Sequence, residues 1–521
     1  MAKKHISFVT LITTADLNKF NSAENLNFRT FVLYMEFEKS DPITIDSLLN
    51  RVRLGKYQYW IYLVLGVHYI CDGAEAIAIS LLGGILQKEW NISNSQISSL
   101  GSAVFLGIFV GSVLSGLLSD YFGRKKIFMY SLFMSIITCF LSAFAPTYNT
   151  MLFIRALFGV SVGFIQPCFA AYIAEITPQD QRGRALSVVS MLFTVGELIG
   201  WFCARVFLDS YTSGKWRVLL FWVAVPNLIA FVIAMVLLEE SPRFAIFHNF
   251  DNGINVLNTM HKMNNQGREL ALDEYEREDL KKWIETEKNK KFTKESKVKM
   301  IFNKENWSVT WKLGIMWFVL SFTYYGIIFI LPMMYSAQTS DSSDENKDNL
   351  NDLLWGIFGE LPSYAACYWL IENPAFGRKN SLTLSYWGCA IACIIVFFSN
   401  GVIMNILVFL SKFFMMSAFN VIYIYTSEMY HTSYRTTGFG ITSSASRIGA
   451  SIMPWISIAA FGITPKLPFV IYAVTCVVAA IVTMMMPYDT QGRELDKSHE
   501  QQEEEEKDKP LLEMSLMKSS H

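Results

Sequence analysis

Long apolar segments separated by short polar ones dominate this chain of 521 residues. About twelve of them run for about 20 residues, the length at which an α-helix crosses a hydrocarbon core of about 30 Å. Six lie before a charged stretch at 239–307 and six after it. The pattern predicts an all-α integral membrane protein. The predicted spans are 57–87, 97–119, 127–146, 149–174, 185–208, 217–238, 308–335, 352–371, 381–399, 402–427, 437–461 and 467–487.

These spans divide the chain into five predicted parts. Lys and Arg concentrate in the short connections on one side, which places those connections and both termini in the cytosol. Residues 1–50 lack a cleavable signal pattern, so the first span is expected to direct insertion. The parts are a cytosolic segment 1–56, a six-helix bundle 57–240, a charged cytosolic loop 241–307, a second six-helix bundle 308–487 and a disordered cytosolic tail 488–521.

Composition agrees with a membrane protein and excludes several other classes. With 52% hydrophobic and 17% charged residues, the chain has too little charge to cover several soluble domains. The net charge of −1 gives no reason to expect nucleic-acid binding. All eight cysteines fall inside predicted spans, so we expect no disulfide. The sequence offers no metal-ligand cluster, nucleophile motif or phosphate loop, and we expect no enzyme activity, metal or cofactor.

Two sequence landmarks recur about 250 residues apart, which predicts two related halves. In an apolar chain, such a repeat is typical of a transporter built from two similar helical bundles around one central site. The recurring residues are Glu175 with Arg182 and Gly123-Arg124-Lys125 in the first half, and Glu428 with Arg435 and Gly377-Arg378-Lys379 in the second.

One motif carries a specific family resemblance. Residues 116–125, Gly-Leu-Leu-Ser-Asp-Tyr-Phe-Gly-Arg-Lys, resemble the cytosolic-loop signature of the major facilitator superfamily. Segments 175–183 and 240–244 resemble signatures of its sugar-porter and organic-ion branches, and 43–496 as a whole is similar to its synaptic-vesicle-2-related group. The resemblance implies the major facilitator fold, with about twelve transmembrane helices in two pseudo-symmetric six-helix bundles, and transport by alternating access.

The resemblance also implies a gate of acids and bases at the cytosolic helix ends. Asp120 is expected to hold the opposite bundle through charge and helix-dipole contacts. Positive-inside anchoring is the alternative, but it explains the bases and not their repeated acid partners. The expected pairs are Glu175 with Arg182, Glu240 with Arg243 and Glu428 with Arg435. The gating candidates are Gly116, Asp120, Gly123, Arg124, Lys125, Glu175, Arg182, Glu240, Arg243, Gly377, Arg378, Glu428 and Arg435.

The second copy of the gate departs from the expected pattern. His431 replaces a proline, and Glu372 lies five residues before Gly377 instead of three. We therefore expect the first half to hold the tighter gate contacts.

Charged residues inside the predicted spans are costly in a bilayer and are therefore site candidates. Asp72 and Glu75 share one helix face, where they could attract a cation or carry a coupling proton. Arg447 is expected to line the cavity, since Ser443 and Ser451 lie one turn to either side. Structural ion pairs and, for the tyrosines, ordinary helix packing are the alternatives. The substrate and coupling candidates are Asp72, Glu75, Arg155, Glu197, Tyr324, Tyr325, Glu360, Lys412, Asn420, Tyr423 and Arg447.

The predicted function is secondary active transport of a small organic solute, an organic ion or a sugar-like molecule, with proton coupling as a hypothesis. Acids in the first span suit a cation, whereas Arg447 and Lys412 suit an anion. The alternative is a transport-inactive vesicle-membrane receptor or scaffold that retains the fold.

The expected partners are a small-molecule substrate, protons, the lipid bilayer of the plasma membrane or an endomembrane vesicle, and a sorting adaptor at Leu511-Leu512. We expect a monomer. Asn91-Ile-Ser93 is a glycosylation sequon on the non-cytosolic side, although its short loop lies close to the membrane.

Overall fold

A computed structural model describes residues 43–178, 181–289, 294–340, 350–373, 376–430 and 434–491. Residues 1–42, His431 and the tail with Leu511-Leu512 lie outside the described residues, so the predictions about them stay predictions. The backbones of Gly116, Asp120 and Glu372 belong to described helices, but the surroundings of Gly116 and the side chains of Asp120 and Glu372 are outside the described part.

The first half consists of helices joined by short connections and one small antiparallel sheet, in which Leu208 lies opposite Gly214. The predicted sixth span is two helices, because Pro226 at the start of the second lacks a backbone N–H. The elements are α1 Ile45–Val52, α2 Lys56–Trp90, α3 Asn94–Phe122, α4 Arg124–Ala143, α5 Tyr148–Ile176, α6 Arg182–Phe207, β1 Leu208–Ser210, β2 Ser213–Gly214, α7 Trp216–Val223 and α8 Val225–Leu237.

The described residues of the charged central stretch, which the sequence predicted as a loop, form four helices. They are α9 Pro242–His248, α10 Phe250–Asn264, α11 Glu274–Asn289 and α12 Lys294–Ile301. The second half follows with α13 Lys304–Ser340, a 3-10 turn Leu350–Asp352, α14 Leu353–Glu372, α15 Gly377–Phe398, α16 Gly401–Glu428, α17 Arg435–Phe461 and α18 Leu467–Met484.

Within the described residues, ten helices or helix pairs are long and apolar enough to cross a membrane. The predicted spans 352–371 and 437–461 are helical as α14 and α17, but neither is among those ten. α17 is rich in Ser, Thr and Gly because much of its surface packs on α13 and α3 instead of lipid.

The chain separates into a small unit, Met1–Leu48 with Ala271–Lys290, and a large unit, Leu49–Leu270 with Lys291–His521. In the small unit, the backbone N–H of Ile43 donates to Asp279 at 2.8 Å, and Leu280 and Ile284 of α11 are buried. The large unit contains both six-helix halves.

Close helix pairs within each half depend on small residues. Gly107 of α3 faces Gly159 of α5, and a Cβ atom added to Gly107 would lie 2.3 Å from the carbonyl oxygen of Ala156. α14 and α16 repeat this approach in the second half, where a Cβ on Gly359 would lie 2.3 Å from the oxygen of Phe409. Corresponding helices of the two halves therefore pack in the same way.

The two halves contact each other directly near the N-terminus of α3 and the C-terminus of α17. Ser102 Oγ donates to the carbonyl oxygen of Ser451 at 2.7 Å, and Ser98 Oγ to that of Pro454 at 3.3 Å. α2 also packs on α13, and α6 on α14. These contacts close the halves together at this end, which we call the closed end.

Candidate functional site

The N-terminus of α4 is capped by a carboxylate that follows α8. Glu240 Oε1 accepts hydrogen bonds from the backbone N–H groups of Arg124 at 2.8 Å and Lys125 at 3.2 Å. The Arg124 side chain contacts Glu175 at the end of α5, with 3.0 Å between Nη2 and Oε1. Ser241 Oγ donates to the other oxygen of Glu175. Because carboxylates are stabilised at a helix N-terminus, these contacts tie α4, α5 and the end of α8 together.

The second half repeats this network at the start of α15. Asp489 accepts from the backbone N–H groups of Arg378 at 3.0 Å and Lys379 at 2.8 Å. Arg378 Nε lies 3.2 Å from Glu428 Oε2, and Thr490 Oγ1 donates to the same carboxylate. Each half thus uses one carboxylate to cap a helix and another to bind the arginine of the Gly-Arg-Lys motif.

Sequence analysis did not identify Asp489, Ser241 and Thr490 as site residues. The available signal is an acid followed by a hydroxyl residue, Glu240-Ser241 and Asp489-Thr490, at positions 249 residues apart since 489 − 240 = 249. The residue types differ between the halves, so a search for identical motifs does not find the pair.

Gly123 and Gly377 are required by the backbone and by the carboxylates beside them. Their φ angles are 98° and 64°, a region that favours glycine. A Cβ atom on Gly123 would lie 2.2 Å from Glu240 Oε2, and one on Gly377 would lie 2.4 Å from Asp489 Oδ2. A side chain at either position would collide with the capping carboxylate.

The basic residues that follow Glu175 and Glu428 donate hydrogen bonds to backbone carbonyl oxygens. Arg182 Nε donates to the carbonyl oxygen of Thr177, and Arg435 Nε to that of Tyr430, both at 3.1 Å. The carboxylates that they were predicted to pair with contact the arginines of the Gly-Arg-Lys motifs, which approach from the neighbouring helix. Arg243 is exposed.

A cavity that is partly open to solvent lies between the two halves, with about 640 Å³ of empty space when the open solvent region is included. Helices α2, α3, α5 and α6 of the first half and α13 and α17 of the second provide its wall. Most of the wall is apolar, and its phenylalanine rings are Phe105, Phe158, Phe193 and Phe329. Its polar side chains are Asp72, Glu75, Gln166 and Tyr325.

The two acids of α2 have different partners. Glu75 Oε2 forms an ion pair with Arg155 Nη1 of α5, and both side chains are buried. Asp72 Oδ2 lies 3.6 Å from His68 Nε2, one turn earlier on α2. Asp72 Oδ1 has no hydrogen-bond partner within the described residues. Arg155 therefore balances the charge of Glu75, while Asp72 faces a histidine and the cavity.

His68 connects Asp72 to a buried polar chain that sequence analysis missed. His68 Nδ1 lies 2.9 Å from Asn227 Oδ1, and Asn227 Nδ2 donates to Ser135 Oγ at 2.6 Å. A single histidine within an apolar span gives no pattern from which this role could have been predicted.

Arg447 reaches the cavity through another residue. Its Nη2 donates to Oε1 of Gln166, which lines the cavity. Tyr325 contributes to the wall directly, and its ring centroid lies 4.9 Å from that of Phe105. The predicted residues of α13 and α17 therefore meet α3 and α5 of the first half at this cavity.

Asn420 and Tyr423 of α16 make packing contacts. Asn420 Nδ2 donates to the carbonyl oxygen of Met416 in the same helix at 3.1 Å. The Tyr423 ring meets that of Trp317 edge-to-face, with 4.9 Å between centroids, and lies 5.6 Å from that of Phe439. The role of both residues in binding a substrate stays a prediction.

A second group of charged residues, which we call the charge cluster, joins the halves beside the cavity. Lys412 Nζ contacts Glu360 Oε1 and lies 3.3 Å from Glu197 Oε1. Glu360 also accepts hydrogen bonds from Tyr324 Oη at 2.8 Å and Thr194 Oγ1 at 2.6 Å. The ammonium group lies 4.2 Å from the Tyr324 ring centroid, a cation–π distance. Sequence analysis named four of these residues but did not predict that they meet.

Two similar helical halves around a buried, charge-bearing cavity define a multi-pass membrane transporter. The chain belongs to the family described as "Sugar (and other) transporter", whose sequence profile matches residues 46–501. The predicted membership of the major facilitator superfamily is confirmed, and so is the class of transporter rather than enzyme.

Individual relatives and solved structures agree with this family. The chain is 26% identical over 476 residues to the synaptic vesicle 2-related protein of Rattus norvegicus, covering 88% of this chain and 83% of that protein. It is 26% identical over 492 residues to organic cation/carnitine transporter 7 of Arabidopsis thaliana, covering 87% and 96%.

The fold resembles that of the proton:xylose symporter XylE bound to 6-bromo-6-deoxy-D-glucose, with a TM-score of 0.62, 18% identity and coverage of 84% and 98%. The inward-open conformation of XylE from E. coli gives the same values. At this identity the likeness supports the major facilitator fold.

Proposed function

We propose that this protein is a secondary active transporter that moves an organic cation by alternating access and exchanges it for a proton at Asp72. The observation that carries this proposal is the cavity between the two halves, in which the Asp72 carboxyl group lies within an apolar and aromatic wall. An amine with an apolar body would be stabilised by both features. A sugar would leave hydroxyl groups without partners against this wall.

Charge balance favours Asp72 over Glu75 as the site that exchanges a proton for the cation. Arg155 forms an ion pair with Glu75, whereas Asp72 faces His68 Nε2 at 3.6 Å. When His68 Nδ1–H donates to Asn227, Nε2 offers a lone pair towards Asp72, and the two groups can share one proton. An entering cation would favour the ionised carboxylate and expel this proton, since both compete for the same negative charge.

Rocking of the two halves would expose the cavity to alternate sides of the membrane. The contacts between α3 and α17 support a closed end, and the twin capping networks lie towards the opposite ends of their helices. We place those networks and both termini in the cytosol, following the distribution of Lys and Arg. Similarity to a synaptic vesicle 2-related protein suggests a vesicle membrane.

The proposal is tested with purified protein, first by a thermal-shift screen against organic cations, carboxylates and sugars, and then by uptake of any hit into proteoliposomes. We expect hits among apolar amines, uptake driven by an opposing proton gradient, and loss of the gradient effect in Asp72→Asn. Glu89→Gln is the control, because Glu89 lies near the other end of α2 and pairs with Arg217.

Uptake that ignores the pH gradient in wild type, Asp72→Asn and Glu75→Gln would refute proton coupling. Ligand binding without flux under any gradient would instead favour the transport-inactive receptor or scaffold.

A further inference from the structure

The charge cluster contains more acid than base in a place closed to water. Glu197 and Glu360 are 0% exposed, and Lys412 is 1% exposed. If all three were ionised, the cluster would carry one excess negative charge. A buried charge without a partner is so unfavourable that such a group normally takes up a neutralising ion or proton. One additional positive charge is therefore needed to neutralise the cluster.

The contacts of Glu197 and Glu360 identify which of the two carboxyl groups would bind this additional positive charge. Glu360 contacts the Lys412 ammonium and accepts hydrogen bonds from Tyr324 and Thr194, and all of these contacts stabilise a negative charge on its carboxylate oxygens. Glu197 contacts Lys412 through Oε1 at 3.3 Å, while its Oε2 has no hydrogen-bond partner in the part of the chain that the structure describes. Glu197 is thus the less stabilised carboxylate and Oε2 the free position.

The groups on the surrounding helices also provide no positive charge that would neutralise Glu197. Tyr364 of α14, whose Oη lies 3.3 Å from Thr194 Oγ1, brings no positive charge to the cluster. Behind α6 lies α2, which packs closely enough that a Cβ on Gly73 would lie 2.9 Å from the backbone nitrogen of Glu197. Glu75 is balanced by Arg155, and Asp72 carries no positive charge, so the acids of α2 do not neutralise Glu197.

We propose that Glu197 is a second proton-binding site, protonated when the halves are in contact and deprotonated when they separate at the charge cluster. Glu197 and Thr194 belong to the first half, and Lys412 and Glu360 to the second. Separation leaves Lys412 with Glu360 as a balanced pair. It also exposes Glu197 to water, where its O–H bond breaks, the proton passes to water and the electron pair stays on the carboxylate. Closure reverses this step and takes up one proton.

This site is separate from the exchange proposed at Asp72, and its protonation requires no transported solute. Infrared spectra of the full chain in lipid nanodiscs therefore test it independently. In an Asp72→Asn background, which removes the acid already proposed to exchange a proton, we expect a carboxylic-acid C=O band at neutral pH that disappears in Glu197→Gln. The same band should disappear in Glu360→Gln, because Glu197 then balances Lys412 alone. In Lys412→Met the band should grow, because both acids lose the base that balances them.

In the Asp72→Asn background, a neutral-pH acid band that survives Glu197→Gln unchanged would overturn the proposal. So would carboxylate bands that shift with sodium instead of pH, since the neutralising charge would then be a metal cation. Glu89→Gln should leave the band unchanged and serves as the control for loss of an acid elsewhere on the first half.

A distance measurement tests the link to separation of the halves. Spin labels at Thr147→Cys and Ile463→Cys, both exposed, would report on the closed end. Cys203→Ser removes the partly exposed native cysteine, and the other seven are buried. We expect the distance to be short at acidic pH and longer at alkaline pH, and to stay short at both in Glu197→Gln. A wild-type distance that does not change with pH would refute the link.

Discussion

Asp489 caps α15 as Glu240 caps α4, through two successive backbone N–H groups in each case. The repeat extends to the arginine of each Gly-Arg-Lys motif, whose contacts with glutamate measure 3.0 Å in the first half and 3.2 Å in the second. The second half therefore retains the network although its loop motif is stretched. Each six-helix half has its own connection between a helix start and the end of its last helix.

Gly377→Ala is expected to destabilise the protein more than Gly401→Ala does. Both glycines have positive φ, 64° and 56°, so each substitution carries about 1–2 kcal/mol of backbone strain. A Cβ on Gly377 would also lie 2.4 Å from Asp489 Oδ2, whereas one on Gly401 meets open space. Thermal unfolding in detergent measures the difference. Equal losses in melting temperature would contradict the proposed collision.

Asp489→Asn and Glu240→Gln should lower stability by similar amounts. Each removes a charge at a helix N-terminus and weakens paired backbone hydrogen bonds, which together contribute about 1–2 kcal/mol. Glu239→Gln, at the residue beside Glu240, is the control and should have a smaller effect. Denaturation of the three variants under one condition gives the comparison. A loss of stability confined to Glu240→Gln would mean that the network around Asp489 contributes little to stability.

Most of the fold could be predicted because an apolar run in the local sequence indicates a membrane helix. The prediction failed where local sequence gives no such signal. Pro226 divides one span into α7 and α8, and the charged central stretch forms four helices. α17 was predicted as a span, although it carries many polar residues because it faces protein.

The site was predictable as a list of residues but not as an arrangement. Intramembrane charge identifies Glu197 and Lys412 from the sequence, because isolated charge in a bilayer is unfavourable. Their meeting depends on how α6 packs against helices more than 150 residues later, as the Thr194–Glu360 separation of 166 shows. His68 was missed because one neutral, ionisable residue does not alter the apolar pattern around it.

Arg155→Gln is expected to cost about 3–5 kcal/mol, because it leaves the buried Glu75 charge without its partner. The double variant Arg155→Gln with Glu75→Gln should recover much of this loss, since no charge then remains unbalanced. A double-mutant cycle by chemical denaturation measures the coupling.

An exposed pair of the same residue types provides the control for that cycle. Arg217 and Glu89 lie 2.9 Å apart with side chains 44% and 40% exposed, so Arg217→Gln should cost less than about 1 kcal/mol. A double variant as unstable as Arg155→Gln alone would contradict the expected rescue and point to packing as the source of the loss.

Gly101→Val should push the halves apart at the closed end. Gly101 of α3 lies against the second half, where an added Cβ would be 3.1 Å from both Phe329 Cε2 and Pro454 Cγ, and the extra methyl groups of valine would be closer still. Gly440→Val is the matched control, because Gly440 is also within a helix but a Cβ there meets open space. The labels at Thr147→Cys and Ile463→Cys should report a longer distance in Gly101→Val than in Gly440→Val. If both variants keep the wild-type distance, the contact at Gly101 does not control closure, because the halves accommodate the valine without separating.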